Sequence, residues 1–269
     1  MSDNSASFVG SIPEHYDQNL GPVLFADYAE EMAKRVAAFA PRRVLETSAG
    51  TGIVSRQLRD RLPAGARLTV TDLNPPMLEV ARAKFKASET LEFQPADATD
   101  LPFPDQSFDA VVCQFGIMFF PDKVKSYREA CRVLRPGGRY FFSVWDAHRF
   151  NPFARLGHGL VTELFPADPP QFYEVPFSYH RLDPIKETMT EAGFTGLKVE
   201  VLGRAQTIPD VPAFARGFVY GNPLADQVRA RGGDPERVVA ALTEIYRRAF
   251  GPDPGRMPLQ AILFEAKQA

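Results

Sequence analysis

The chain has 269 residues, 45% of them hydrophobic and 24% charged, with a formal net charge of −2. That composition suits a soluble globular domain with a sizeable core, and the near-neutral balance gives no electrostatic case for nucleic acid or an anionic membrane surface. Two cysteines, Cys113 and Cys131, in apolar or helix-like runs, point to neither a disulfide framework nor a metal site. No apolar run approaches the ~20 residues that span a bilayer. The first residues carry no signal-peptide pattern, so the expected location is cytoplasmic.

In chain order, residues 1–21 are polar, broken by Gly and Pro, and read as an arm or loop. Residues 25–40 place apolar side chains at helical spacing and stop at Pro41. Strands and helices then alternate: strand 42–47, helix 53–62, strand 67–72, helix 75–87 with proline in its first turn, and strand 91–97. An apolar fourth strand lies in "LPFPDQSFDAVVCQFG", followed by helix 123–134, an "RPGG" expected to close that helix, and strand 139–146. Such alternation requires parallel pairing through right-handed crossovers, which gives an α/β Rossmann-like open sheet with helices on both faces.

After Trp145 the rhythm breaks. Residues 147–180 are rich in Phe, Pro and His, with a helix at 152–165. A helix follows with Asp183 as its N-cap and Gly193 past its end, then a strand at 197–208. Residues 209–256 read as two or three helices, and 258–267 as a last, antiparallel strand. The expected organisation is an N-terminal arm (1–28), a core (29–208 with 257–269, carrying a cap insertion at 147–180) and a helical cap insertion (209–256).

The stretch "VLETSAGTGIVSRQL" asks what is held at its turn. A strand ends at Glu46 and a helix begins near Ile53, with Ser48, Ala49, Gly50 and Gly52 between them. Small residues let a ligand lie against the backbone, and the helix start offers N–H groups. Asp72 ends the second strand, 20 residues after Gly52, where an acid can accept from vicinal hydroxyls. Asp97 ends the third and could accept from an exocyclic amine. Acids at strand ends also serve as ordinary caps, so the series Glu46, Asp72, Asp97 says more than any member alone. A dinucleotide would want a third glycine where Ser55 stands, and acids beside the loop repel a diphosphate. A zwitterionic sulfonium ligand tolerates them better.

Taken together, residues 43–146 resemble the class I S-adenosylmethionine-dependent methyltransferases, in the group that includes the ubiquinone/menaquinone biosynthesis methyltransferases. "VLETSAGTG" is similar to the family's nucleotide loop, "VTDLNPPML" to its second motif, "PADATDLPFPDQSFDAVVCQFGIMFF" to its third and fourth, and "EACRVLRPGGRYFFSVWD" to its post-motif. One departure is Ser48 in place of the first glycine.

The resemblance implies S-adenosyl-L-methionine as cofactor, with no metal. By position, Glu46 would orient the methionine amino group, and Ser48 and Gly50 would give backbone contacts beside Gly52. Asp72 would hold the ribose hydroxyls, Leu73 and Met77 would pack on adenine, and Asp97 and the Ala98 N–H would take the adenine edge. Gln114 and Phe115 would stand beside the methionine end. Tyr16, in "HYDQNLGP", lies where related chains fold an arm over the cofactor, though an aromatic simply packed on the sheet fits as well.

The segments outside the common core are expected to form a mainly helical cap over the carboxyl ends of the strands, with a small-molecule acceptor beneath. Their aromatics, among them Phe150, Phe153, Phe165, Phe172, Tyr173, Phe177, Tyr179, Phe214, Phe218 and Tyr220, either stitch the cap together or line an apolar pocket. The expected reaction is in-line methyl transfer to an apolar or aromatic acceptor, at oxygen, carbon or nitrogen. His15, His148, His180 and Asp146 are candidate bases, but no histidine–acid pair stands at local spacing, so the catalytic residues stay unassigned. An NAD(P)-dependent oxidoreductase and a non-catalytic cofactor-binding protein remain as alternatives. The oligomeric state is open.

Overall fold

In the computed structural model, which describes residues 6–89 and 91–269, strands and helices alternate through the first half as the apolar pattern requires. The first five residues of the expected arm lie outside the described residues. The chain divides into two compact units. One takes the residues up to Phe25, Trp145–Tyr179 and Leu202–Ala261, and the other takes Ala26–Val144, His180–Val201 and Ile262–Ala269.

Most of the seven-stranded sheet lies in the second unit, while Trp145 and the parts of the last two strands that fall within Leu202–Ala261 belong to the first. The strands are β1 (Arg43–Glu46), β2 (Arg67–Asp72), β3 (Leu91–Pro95), β4 (Phe108–Gln114), β5 (Leu134–Trp145), β6 (Phe194–Ile208) and β7 (Gly255–Gln268), in the order β3-β2-β1-β4-β5-β7-β6. β1 to β5 pair in parallel, and the buried Val44, Leu45, Val70, Val111 and Val112 show that the central strands β1, β2 and β4 are covered on both faces. Right-handed crossovers that step outward from β1 in both directions put helices on opposite faces.

On β7 residue numbers fall as they rise on β5. Glu265 pairs with Arg139, and Phe264 stacks on Phe142 at 4.5 Å, so this last strand is antiparallel. Thr195 Oγ1 donates to the Lys267 carbonyl and the Ala269 N–H to that of Gly193, which makes β6 and β7 antiparallel too.

Helices α2 (Ala26–Ala38) and α3 (Ile53–Arg61) pack together, α4 (Pro75–Arg82) lies against β2 and β3, and α5 (Lys123–Val133) meets α8 (Leu182–Glu191). Gly52, at φ +77°, lets α4 come close to α3: a Cβ there would lie 2.8 Å from the Ala81 Cβ.

Three local readings change. The expected arm is helical from Ile12 onward, as α1 (Ile12–His15) and then a π-helical stretch, Tyr16–Phe25, that carries Pro22. Burial of Leu20, Val23, Leu24 and Phe25 outweighs the breaking tendency of Gly21 and Pro22. The "RPGG" segment does not close α5. Leu134 is already extended at ψ 142°, so the helix ends before the proline and the glycines, and Gly137 (φ +79°) sits inside β5 beside a register shift against β4. Asp183 is not an N-cap, because α8 begins at Leu182 and the acid falls in its first turn, where it still suits the helix dipole. Gly193 does follow the helix end, at φ +98°.

The first unit holds α6 (Pro152–Leu164), α7 (Glu174–Ser178), α9 (Val211–Tyr220), α10 (Leu224–Ala230) and α11 (Pro235–Phe250). Aromatic rings form its core. Tyr173 and Phe218 stack at 3.9 Å and 3°, and Phe153 is ringed by Trp145, Phe177, Phe214 and Phe218. Buried hydroxyls among them are satisfied: Tyr173 donates to the Phe218 carbonyl and Tyr246 to that of Phe153. Asn222 adds donors to the Tyr173 hydroxyl and the Phe218 carbonyl. Phe153, Phe172, Tyr173, Phe177, Phe214 and Phe218 are all buried in this packing, while Phe150 is exposed. No helix among the described residues is long and apolar enough to cross a membrane.

Phe218 has no exposed surface. Phe218→Ala removes a ring from a close-packed core and is expected to cost about 3–5 kcal/mol, read as a lower midpoint in chemical denaturation. An unchanged midpoint would show that the core tolerates the void.

Candidate functional site

The strand order reverses at the junction of β1 and β4, and in an open α/β sheet the crevice outside the carboxyl ends at such a point receives ligands. Register sets what reaches it. Glu46 pairs with Val70 on one side and Val112 on the other, and Asp72 ends β2 opposite Pro95.

The turn after β1 is built from alternating left-handed residues: Ser48 at φ +52°, Gly50 at +56° and Gly52 at +77°. It is tied down by its own backbone. The Thr47 N–H donates to the Val112 carbonyl, the Ala49 N–H to that of Thr71, and the Gly52 N–H to that of Ala49. Nothing stands within 4 Å of where a Gly50 Cβ would be, so the loop has open space beside it.

Asp72 anchors the loop. Its Oδ2 accepts from the Gly50 N–H at 2.8 Å, and its Oδ1 from the Asn74 N–H at 2.8 Å and Asn74 Nδ2 at 3.3 Å. The Gly50 amide is therefore committed within the chain, and a ligand contact at Gly50 falls to its carbonyl. A carboxylate offers about four lone-pair positions, so Asp72 keeps acceptor capacity after these bonds. Burial pushes the Asp72 carboxyl above its ordinary value, and the donated N–H groups pull against that.

Glu46 is 2% exposed, and its Oε2 has no hydrogen-bond partner. Burial pushes its carboxyl up to about 8; neighbouring Ser55 opposes the shift and the Asp72 charge adds to it. Neither acid makes an ion pair among the described residues. The buried hydroxyls Thr51 Oγ1 and Ser55 Oγ also lack partners. Buried polar atoms are rarely left so, and here Ser55 neighbours Glu46. The arrangement suits a ligand bearing a positive charge and hydrogen-bond donors.

Other predicted residues border the same strand ends. Leu73 is an exposed apolar side chain at 57% and Met77 is buried. Asp97 is exposed, its Oδ1 accepting from the Thr99 N–H and hydroxyl, while Ala98 is half-buried. Gln114 ends β4, and Phe115 follows at φ +54° with its N–H on the Ser143 carbonyl and its ring edge-on to Tyr28. Thus Glu46, Ser48, Gly50, Gly52, Asp72, Leu73, Met77, Asp97, Ala98, Gln114 and Phe115 stand in the second unit at or just beyond the ends of β1 to β4. Tyr16 belongs to the first unit, stacked on Phe25 at 4.9 Å and edge-on to Phe8.

Among the candidate bases, Asp146 spends its oxygens on the Ala147 N–H and Gln260 Nε2. Asn151 completes this knot with bonds to the Asp146 and Gln260 carbonyls and the Gln260 N–H. His15 lies against Tyr220, and His148 Nε2 meets the Tyr173 carbonyl. A histidine–acid pair does form, between His158 and Glu174 at 2.8 Å, but it joins two helices and leaves no trace in local spacing. Sequence reading also passed over Thr51 and Asn74. The run of hydroxyls in "TSAGTGIVS" was the available signal for the first.

A raised carboxyl favours the folded state fully below its ordinary pKa of 4.5, and that contribution is lost as pH rises to about 8. Urea unfolding of the wild type should therefore lose stability across pH 5–8 relative to Glu46→Gln. Parallel curves would mean that Glu46 ionises normally.

Residues 45–142 match the family described as a methyltransferase domain. A demethylmenaquinone methyltransferase of Thermus thermophilus is 46% identical over 127 residues, 47% of this chain and 55% of its own. One of Deinococcus radiodurans is 43% identical over 40% of this chain and 44% of its own, so the chain spans about half the length of these relatives. A malonyl-[acyl-carrier protein] O-methyltransferase of Geobacter sulfurreducens is 30% identical over 219 residues, 78% of each chain. Among solved structures, Haemonchus contortus phosphoethanolamine N-methyltransferase 2, in complex with S-adenosylhomocysteine, shares the fold, with a TM-score of 0.60 at 18% identity over 95% of this chain and 57% of its own.

Proposed function

Because the chain belongs to the class I S-adenosylmethionine-dependent methyltransferases, we propose that it transfers a methyl group from S-adenosylmethionine to a small apolar or aromatic acceptor. The observation that carries this reading is Glu46: a buried acid at the end of β1, one oxygen without a partner, beside a second buried acid and an open left-handed loop. The donor set fits the cofactor. Glu46 would receive its ammonium group, Asp72 its ribose hydroxyls, the exposed Leu73 with Met77 its adenine face, and Asp97 with Ala98 the adenine edge. Ser48, Gly50 and Gly52 would border the methionine portion, with Gln114 and Phe115 beyond it.

When bound, the cofactor supplies a methyl group on a cationic sulfur that is already a good leaving group. The chain's task is then alignment and exclusion of water, and the orientation term alone accounts for much of such an acceleration. A dinucleotide is disfavoured by the same acids and by Ser55 at the third glycine position.

The relatives named as demethylmenaquinone methyltransferases make a reduced quinone ring the first acceptor to test. Both cysteines are free, which supports a reducing, cytoplasmic setting.

Isothermal titration with S-adenosylhomocysteine should show one site per chain. Asp72→Ala should weaken it at least about tenfold, since it removes charged hydrogen bonds to the ligand together with the Gly50 anchor. Absence of binding at millimolar ligand, alongside clear NAD binding, would overturn the reading. A screen of quinols, phenols, amines and acyl carboxylates with the methyl donor then identifies the acceptor.

A further inference from the structure

Gly116 follows β4 with φ −97° and ψ −44°, a conformation open to any residue. Its backbone does not ask for glycine. Its surroundings do: a Cβ would lie 2.5 Å from Ser48 Cβ, 2.8 Å from Ser48 Oγ and 2.9 Å from Cys113 Sγ. Ser48 is the converse case, a side chain on a left-handed backbone at φ +52°, where glycine is the easy choice. The side chain missing at one position is present at the other, and both compete for one volume. Cys113, fully buried on β4, borders that volume as well.

We infer that Ser48 and Gly116 form a steric lock in which the serine side chain, seated over the glycine, sets the geometry of the cofactor loop. Both are positioning residues for S-adenosylmethionine binding, and the inference rests on reading this loop as the cofactor site. The lock joins the two sides of the switch-point crevice, the turn after β1 and the turn after β4. The second of these is itself unusual, with Phe115 at φ +54° immediately before Gly116. A side chain at 116 would push Ser48 away, and with it the loop that carries Gly50 and its bond to Asp72.

The test is a double-mutant cycle of Gly116→Ala, Ser48→Gly and the pair, read by titration with S-adenosylhomocysteine and by urea unfolding without ligand. Gly116→Ala should weaken binding by about tenfold or more, as an overpacked contact must be relieved by moving the loop. Adding Ser48→Gly should recover most of that loss, leaving only the contact with Cys113. Wild-type affinity in Gly116→Ala, or a double variant that binds no better than Gly116→Ala, would overturn the lock. If Gly116→Ala is too unstable to titrate, the unfolding midpoints decide: Ser48→Gly must raise stability more in the Gly116→Ala background than in the wild type, and equal effects refute the coupling. Failure of the wild type itself to bind would count against the proposed function, while the unfolding cycle would still judge the lock.

Discussion

Two buried carboxyls at the ends of neighbouring strands, with no ion-pair partner among the described residues, are the constraint around which the second unit is arranged. Burying charge without a partner is costly. The chain meets the cost unequally. Asp72 is given the Gly50 and Asn74 N–H groups and becomes the post to which the loop is tied. Glu46 keeps an oxygen without a partner and responds by holding its proton. Sheet order places Glu46 at the reversal point and Asp72 at the end of the adjacent strand, and the left-handed turn after β1 is tied to Asp72 through Gly50. A site whose empty form is electrostatically uncomfortable gains most from a cationic ligand.

The two units solve the packing problem differently. The centre of the sheet, β1, β2 and β4, is built from β-branched and aliphatic side chains in parallel strands. The other unit fills itself with aromatic rings whose few polar atoms are met by one another and by Asn222. Rings of that size bury much area per residue, which lets this set of helices hold a core.

Legibility in the sequence followed the range of the interactions. The alternation from β1 to β5, the acids at strand ends and the glycine turn are local patterns, and each could be read directly. The last strand was legible as a strand, while its antiparallel direction is set by pairing that no local pattern records. The helix across Tyr16–Phe25 could not, because Gly21 and Pro22 speak against it and only tertiary burial of Leu20, Val23 and Leu24 overrides them. The glycines of "RPGG" were seen, but their place in a bulge depends on the register between β4 and β5. His158 and Glu174 meet only because α6 and α7 pack. The clash between positions 48 and 116 is likewise visible only in space, since φ cannot be read from a serine.

The bond from Gly50 to Asp72 has a kinetic side. A loop already held in its left-handed form has lost its conformational entropy during folding, so a ligand arriving there does not have to order it. Donor and spent product can then exchange over a surface that stays in shape. On that footing the residence time of each is governed by its own contacts, and the pace of the cycle passes to whatever admits and releases the acceptor.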